Sequence, residues 1–264
     1  MTVPARPLPV SPAPRITVAG MALAPLRLLG VLCHVMWALL VAFTVWNRYS
    51  VARRRAFTIR WSGRLLALLG VRLAVQGQAR PGGKLIVANH VSWLDIVAIN
   101  ATEPSRFVSK AEVGQWPVLG RLVTAAGTLY LVRERRRDAM RVLGLMAKAL
   151  REGDTVAVFP EGTTGTGHGV LPFHPNLFQA AIDADVIVQP VALRFSDATH
   201  AISPATAYVG DTTLLQSLWW VVTARGLTVH VHVLPPMRVT HADRRALAEQ
   251  VQTQVEEAIA PGRP

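Results

Sequence analysis

From Leu28 to Trp46 the chain reads LLGVLCHVMWALLVAFTVW, nineteen residues without a formal charge. That length matches a helix crossing a hydrocarbon core. Trp37 and Trp46, with Arg27 before the run and Arg53, Arg54 and Arg55 after it, are placed as interfacial anchors. The run is too long, and starts too late, for a cleavable signal peptide. Residues 56–70, AFTIRWSGRLLALLG, mix apolar and basic positions at helical spacing, with Arg60 and Arg64 one turn apart. They predict a second helix, either lying on a membrane surface or facing a core. Residues 1–18, proline-bearing and poor in large apolar side chains, predict a flexible arm. The anchor is then 19–70 and the body 71–264.

The pattern changes at residue 71. VRLAVQG (71–77), KLIVANH (84–90), RFVSK (106–110), GTLYLV (127–132), TVAVFP (155–160), VIVQPVALRF (186–195) and LTVHVHVLPP (227–236) have the β-branched content and turn boundaries of strands. SWLDIVAIN (92–100), DAMRVLGLMAKALREG (138–153), LLQSLWWVVTARG (214–226) and residues 241–260 have helical periodicity, the last with Thr240 as its expected cap. Strands alternating with helices predict an α/β sandwich around a mostly buried mixed sheet, preceded by a membrane-anchoring helix or two-helix motif.

Composition sharpens this picture in three ways. Half of the 264 residues are apolar and only 17% are charged, which points to a bilayer. The net charge of +12 suits an anionic partner: a nucleic acid, an anionic membrane or a phosphorylated substrate. It equally suits a surface made soluble by arginine. No nucleic-acid-binding motif or basic-aromatic pattern accompanies the charge, so nucleic acid is not expected as a partner. The single cysteine, Cys33, excludes an intramolecular disulfide, and the eight histidines show no paired metal-binding spacing, so no metal is expected.

Two segments carry candidate chemistry, each directly after a predicted strand, where α/β proteins gather ligands. In Asn89-His90-Val91-Ser92-Trp93-Leu94-Asp95, a histidine in the turn can meet an aspartate one turn into the following helix. The carboxylate would then fix the imidazole tautomer and leave the second nitrogen free to take a proton. Taken alone, such a spacing is more often structural than catalytic. In Phe159-Pro160-Glu161-Gly162-Thr163-Thr164, Gly162 permits a tight turn whose backbone N–H groups can cradle a polar head group, and Glu161 could bind a substrate hydroxyl. An acid-glycine turn with no ligand is the plainer reading of that segment.

Taken together, His-x4-Asp followed about 70 residues later by Phe-Pro-Glu-Gly-Thr resembles the glycerolipid acyltransferases, in particular the bacterial 1-acyl-glycerol-3-phosphate acyltransferase family. Two further blocks extend the resemblance over residues 70–195: Gly127-Thr128-Leu129-Tyr130-Leu131-Val132-Arg133, and Val188-Gln189-Pro190-Val191. The resemblance implies direct acyl transfer from an acyl-CoA or acyl carrier protein thioester to the sn-2 hydroxyl of 1-acyl-glycerol-3-phosphate, with no further cofactor. His90 would be the general base and Asp95 its orienter. Arg133 would contact the phosphate, Glu161, Gly162 and Thr163 the glycerol part, and Lys110 either the phosphate or solvent. Partners would be the lysophospholipid, the acyl donor and membrane lipids.

The resemblance, with the basic cluster after the apolar run, implies the inner membrane with the catalytic body on the cytoplasmic face. Thr164 and His174 stand where many family members carry basic residues. Members that acylate lyso-ornithine lipid share the Glu-Gly-Thr-Thr form, which keeps that acceptor, or another lysophospholipid, as the alternative. Arg135, Arg136 and Arg137 either replace the missing charge or form a solvated run. A non-catalytic lipid-binding protein would be expected to have lost one of the motifs, and both are intact.

Overall fold

The computed structural model describes residues 14, 16–110, 114–115, 120–121, 124, 127–131, 136–240 and 242–260, with backbone alone at 110, 131 and 136–139. Seven helices of six residues or more are described: α1 Val18–Thr44, α2 Val51–Leu69, α3 Leu94–Thr102, α4 Arg136–Arg151, α5 Gln179–Ala184, α6 Leu214–Thr223 and α7 Arg244–Ile259. The strands are β1 Arg72–Gln76, β2 Lys84–Ala88, β3 Arg106–Lys110, β4 Leu129–Leu131, β5 Thr155–Val158, β6 Ile187–Ser196 and β7 Thr228–Val233. They form one mixed sheet, ordered β1-β7-β6-β2-β5-β3-β4, in which only β6 and β7 pair antiparallel.

Alternation along the strands divides the core in two. Ile86 and Ala88 of β2 face Leu65, Leu66 and Leu69 of α2, Leu94 and Ala98 of α3, and Val221 and Val222 of α6. Leu85 and Val87 face Met146 and Leu150 of α4, Ala181 of α5, and Val251 and Val255 of α7. Burial on both faces is why β2 reads as a continuous apolar run rather than as an alternating one.

The anchor starts earlier than its charge-free run suggests. Thr17 caps α1, its hydroxyl accepting from Gly20 N at 3.0 Å, so the helix covers 27 residues, or about 40 Å at 1.5 Å per residue. That is long and apolar enough to cross a bilayer. Leu26, Leu29, Leu32, Met36, Leu40 and Phe43 form an exposed stripe along it. The opposite side docks on the body. Arg27 donates to the carbonyl of Val222 at 2.6 Å, near the end of α6, where a cation meets the negative pole of the helix. Gly20 lies so close to Thr223 that a Cβ would stand 2.0 Å from its carbonyl oxygen.

After a 3-10 turn at Trp46–Arg48, Ser50 caps α2 by accepting from Arg53 N. The helix therefore begins at Val51, five residues before the amphipathic pattern becomes legible, and takes in the arginine cluster. It ends at Gly70, whose φ of 81° is the left-handed termination that glycine allows. The last helix is capped by Asp243, which accepts from Arg245 N and Ala246 N, and not by Thr240, which lies too far upstream to reach those donors.

Candidate active site

The C-terminal ends of β2 and β5 are neighbours, with Val87 paired to Val158. This adjacency brings the His90 and Glu161 turns together. Past the end of β2, Asn89 continues the ladder with its side chain: its amide donates to Leu193 O at 2.9 Å, and its carbonyl oxygen accepts from Leu193 N at 2.8 Å. The strand end is thereby clipped to β6 before the chain turns.

Within the turn, just ahead of α3, the Ser92 hydroxyl accepts from Leu94 N at 3.0 Å. Asp95, fully buried in the first turn of α3, sits where the helix dipole favours an anion. Its Oδ2 receives three donors: His90 Nδ1–H at 2.7 Å, Val91 N–H at 2.6 Å and Ser92 N–H at 2.9 Å. Its Oδ1 has no hydrogen-bond partner among the described residues. With Nδ1 donating, the lone pair of His90 lies on Nε2. Nε2 has no partner among the described residues, and the side chain keeps 20% of its surface exposed, enough to meet a substrate. The imidazole stacks on Phe159 at the end of β5, with centroids 4.1 Å apart and planes 9° from parallel, and Phe107 backs Phe159.

The backbone of His90 is held from the Glu161 side. Glu161 is only 5% exposed, and its Oε1 accepts from His90 N at 2.7 Å while Oε2 accepts from Leu171 N at 2.8 Å. Burial pushes its carboxyl up to about 7 against the opposing pull of those two donors. The sequence expectation that Glu161 holds substrate glycerol meets a carboxylate already engaged by the loop. Gly162, with φ 69°, and Thr163 form the exposed lip beside it. Gly165 N donates to His90 O at 2.8 Å, Tyr208 N donates to Val91 O, and the Thr164 hydroxyl donates to Tyr208 O. Trp93 Nε1 donates to Ser217 of α6 at 3.0 Å. Thr164 is thus committed to the scaffold, whereas His174 is exposed.

Lys110 ends β3 at the same edge of the sheet as the His90 turn. Arg133 and Arg135 lie outside the described residues, and Arg136 and Arg137 begin α4. The bracing role of Glu161 was missed by sequence reasoning, because only the β2–β5 pairing brings its carboxylate to His90 N. Among the described residues no group of three or more His, Cys, Asp or Glu is gathered as a metal would require.

At the carboxyl edge of this sheet a buried carboxylate thus holds a partly exposed histidine, and the chain belongs to the Acyltransferase family, whose model matches residues 72–194. It is 37% identical over 211 residues to the 1-acyl-sn-glycerol-3-phosphate acyltransferase of Neisseria gonorrhoeae, spanning 79% of this chain and 82% of that one. It is 38% identical over 207 residues to the lyso-ornithine lipid O-acyltransferase of Pseudomonas aeruginosa, spanning 78% and 79%. The crystal structure of the 1-acyl-sn-glycerophosphate acyltransferase of Thermotoga maritima shares the fold, with a TM-score of 0.69 over 92% of this chain and 95% of that one, at 20% identity. The chain is therefore an O-acyltransferase on a mixed α/β sheet, with an apolar N-terminal helix.

Proposed function

We propose that this acyltransferase esterifies the sn-2 hydroxyl of 1-acyl-glycerol-3-phosphate from an acyl-CoA or acyl carrier protein thioester. The observation that carries the chemistry is a histidine whose Nδ1 is held by a buried carboxylate and whose Nε2 has no partner among the described residues. Nε2 accepts the proton as the acceptor hydroxyl oxygen attacks the thioester carbonyl. Asp95 stabilises the imidazolium that results. The carbon–sulfur bond then breaks, the imidazolium returns its proton to the leaving thiolate, and the ester and free thiol depart without a covalent acyl-enzyme. Three convergent donors hold Asp95 in place, and Glu161 fixes the backbone of His90, so the pair is organised before substrate arrives. In this reading Gly162 and Thr163, exposed at the lip, meet the glycerol part, and Arg133 and Lys110 are the residues assigned to the phosphate.

The exposed apolar stripe of α1 brings this edge to a membrane, for which the inner membrane and its cytoplasmic face fit the thioester donors. A second acceptor, lyso-ornithine lipid, is favoured by the similarly close Pseudomonas aeruginosa relative and by the commitment of Thr164 to Tyr208.

Purified protein in detergent, given an acyl thioester and each acceptor in turn, tests both readings by release of free thiol. Release that requires lysophosphatidic acid supports the first reading. Release with lyso-ornithine lipid alone replaces it with the second. Thiol release that is independent of any acceptor would refute direct transfer.

A further inference from the structure

A polar cleft lies in the anchor and shares no residue with the His90 site. The first 94 residues contain no Asp or Glu, so all sixteen acids fall from Asp95 onward. Within that stretch α2 carries five arginines and no acid. Two of them are accounted for: Arg54 donates to Trp46 O, and Arg55 pairs with Glu103. Arg60 and Arg64 make no hydrogen bond or ion pair among the described residues, and Arg53 only covers the Tyr49 ring, at 4.1 Å. Residues 53, 57, 60, 61 and 64 share one face of α2.

That face meets α1 across a cleft of about 520 Å³, whose lining includes Arg53, Arg60 and Arg64 and no acidic residue. Its floor is aromatic. His34 is stacked between Trp37 and Trp61, at 6.0 and 5.3 Å, and Trp37 lies 5.1 Å from Phe57. His34 Nε2–H donates to Trp61 O at 3.0 Å and Trp61 Nε1–H donates to His34 O, so the floor is fastened across both helices. Arg60 and Arg64 repel each other one turn apart, and Arg53 to Arg55 load the positive pole of α2 with cations. Both arrangements weaken the isolated helix, and both become favourable once an anion is present.

The position of the cleft says which anion. Along α1 the cleft residues His34 and Trp37 flank the exposed stripe of Leu29, Leu32, Met36 and Leu40, and Trp37, itself half exposed, stands at the border between the two. An occupant must therefore present a phosphate to guanidinium groups while its remainder lies against apolar surface. We infer that the α1–α2 cleft holds the phosphate head group of an anionic membrane phospholipid, with Arg53, Arg60 and Arg64 as its ligands and the His34–Trp37–Trp61–Phe57 floor under its glycerol. This lipid is bound, not acylated, and its site does not depend on which acceptor the His90 site takes.

Native mass spectrometry of the full chain released from detergent, with a short-chain phosphatidylglycerol as probe, tests the assignment. The wild type should retain one phosphatidylglycerol and retain phosphatidylcholine at least tenfold less. R60Q/R64Q should lose that adduct, while R244Q/R245Q, which removes the same charge from exposed positions at the start of α7, should keep it. Thiol release on micellar acceptor should be unchanged in both variants, showing that each is folded. Excess inorganic phosphate should leave the adduct in place. Equal retention by wild type and R60Q/R64Q would overturn the site, as would equal loss in the two double variants, which would mean diffuse charge alone. Ready displacement by inorganic phosphate would overturn the assignment to a lipid.

Discussion

Replacing Asp95 by Asn separates the charge of the dyad from its geometry. All three donors converge on Oδ2, so the Asn carbonyl oxygen can accept the same His90, Val91 and Ser92 hydrogens. The new NH2 then occupies the place of Oδ1, which already has no partner among the described residues, so the variant adds little unsatisfied polarity. What it removes is a full negative charge beside the imidazolium. At a charge separation of about 4 Å and an effective dielectric of about 20, that charge is worth ~4 kcal/mol to the transition state. The expected loss in kcat/KM is about a thousand-fold. Thiol release with saturating thioester and varied acceptor measures it, and thermal denaturation should show a Tm within about 4 °C of the wild type. Asp95→Asn protein that stays folded and keeps more than a tenth of wild-type kcat/KM would refute electrostatic stabilisation by Asp95.

Three further outcomes follow from neighbouring contacts. Glu161→Gln turns an NH2 toward His90 N or Leu171 N, which should cost about 1–3 kcal/mol at low pH and slow turnover by loosening the His90 loop. Because burial raises the Glu161 carboxyl from 4.5 to about 7, its protonated form supports the fold fully below about pH 4.5 and loses that support as pH rises through 7. Melts across this window should show the wild type losing about 3 kcal/mol relative to the Gln variant, and parallel curves would refute the shift. Gly20→Ala forces α1 away from Thr223 and should lower Tm by several degrees in a calorimetric scan, for a cost of about 1–3 kcal/mol; an unchanged Tm would deny the close contact. Phe159→Leu removes the ring stacked on His90 and should reduce kcat about two- to tenfold with KM unchanged, as read from acceptor titrations.

Much of the site is local enough to be legible in the sequence. His90 and Asp95 lie five residues apart across a strand-to-helix turn, so their hydrogen bond follows from the turn itself. Strand identities from Arg72 to Val233 emerged because both faces of the sheet are buried and β-branched residues mark the strands. Strand order is another matter. No local pattern tells that β2 lies between β6 and β5, and that pairing alone makes Glu161 a brace for His90 and lets Asn89 bond Leu193. The early start of α2 was hidden because three consecutive arginines at a helix N-terminus oppose its dipole, so a cluster read as a flank is the first turn. The short helix Gln179–Ala184 carries too few turns to show a period.

The central claim, that His90 is the base in a direct transfer, is tested most directly by His90→Ala protein assayed for acceptor-dependent thiol release, with circular dichroism and vesicle binding on the same preparation. Release is expected at the background rate from protein that is folded and still bound to vesicles. Near-normal release by that folded variant would contradict it.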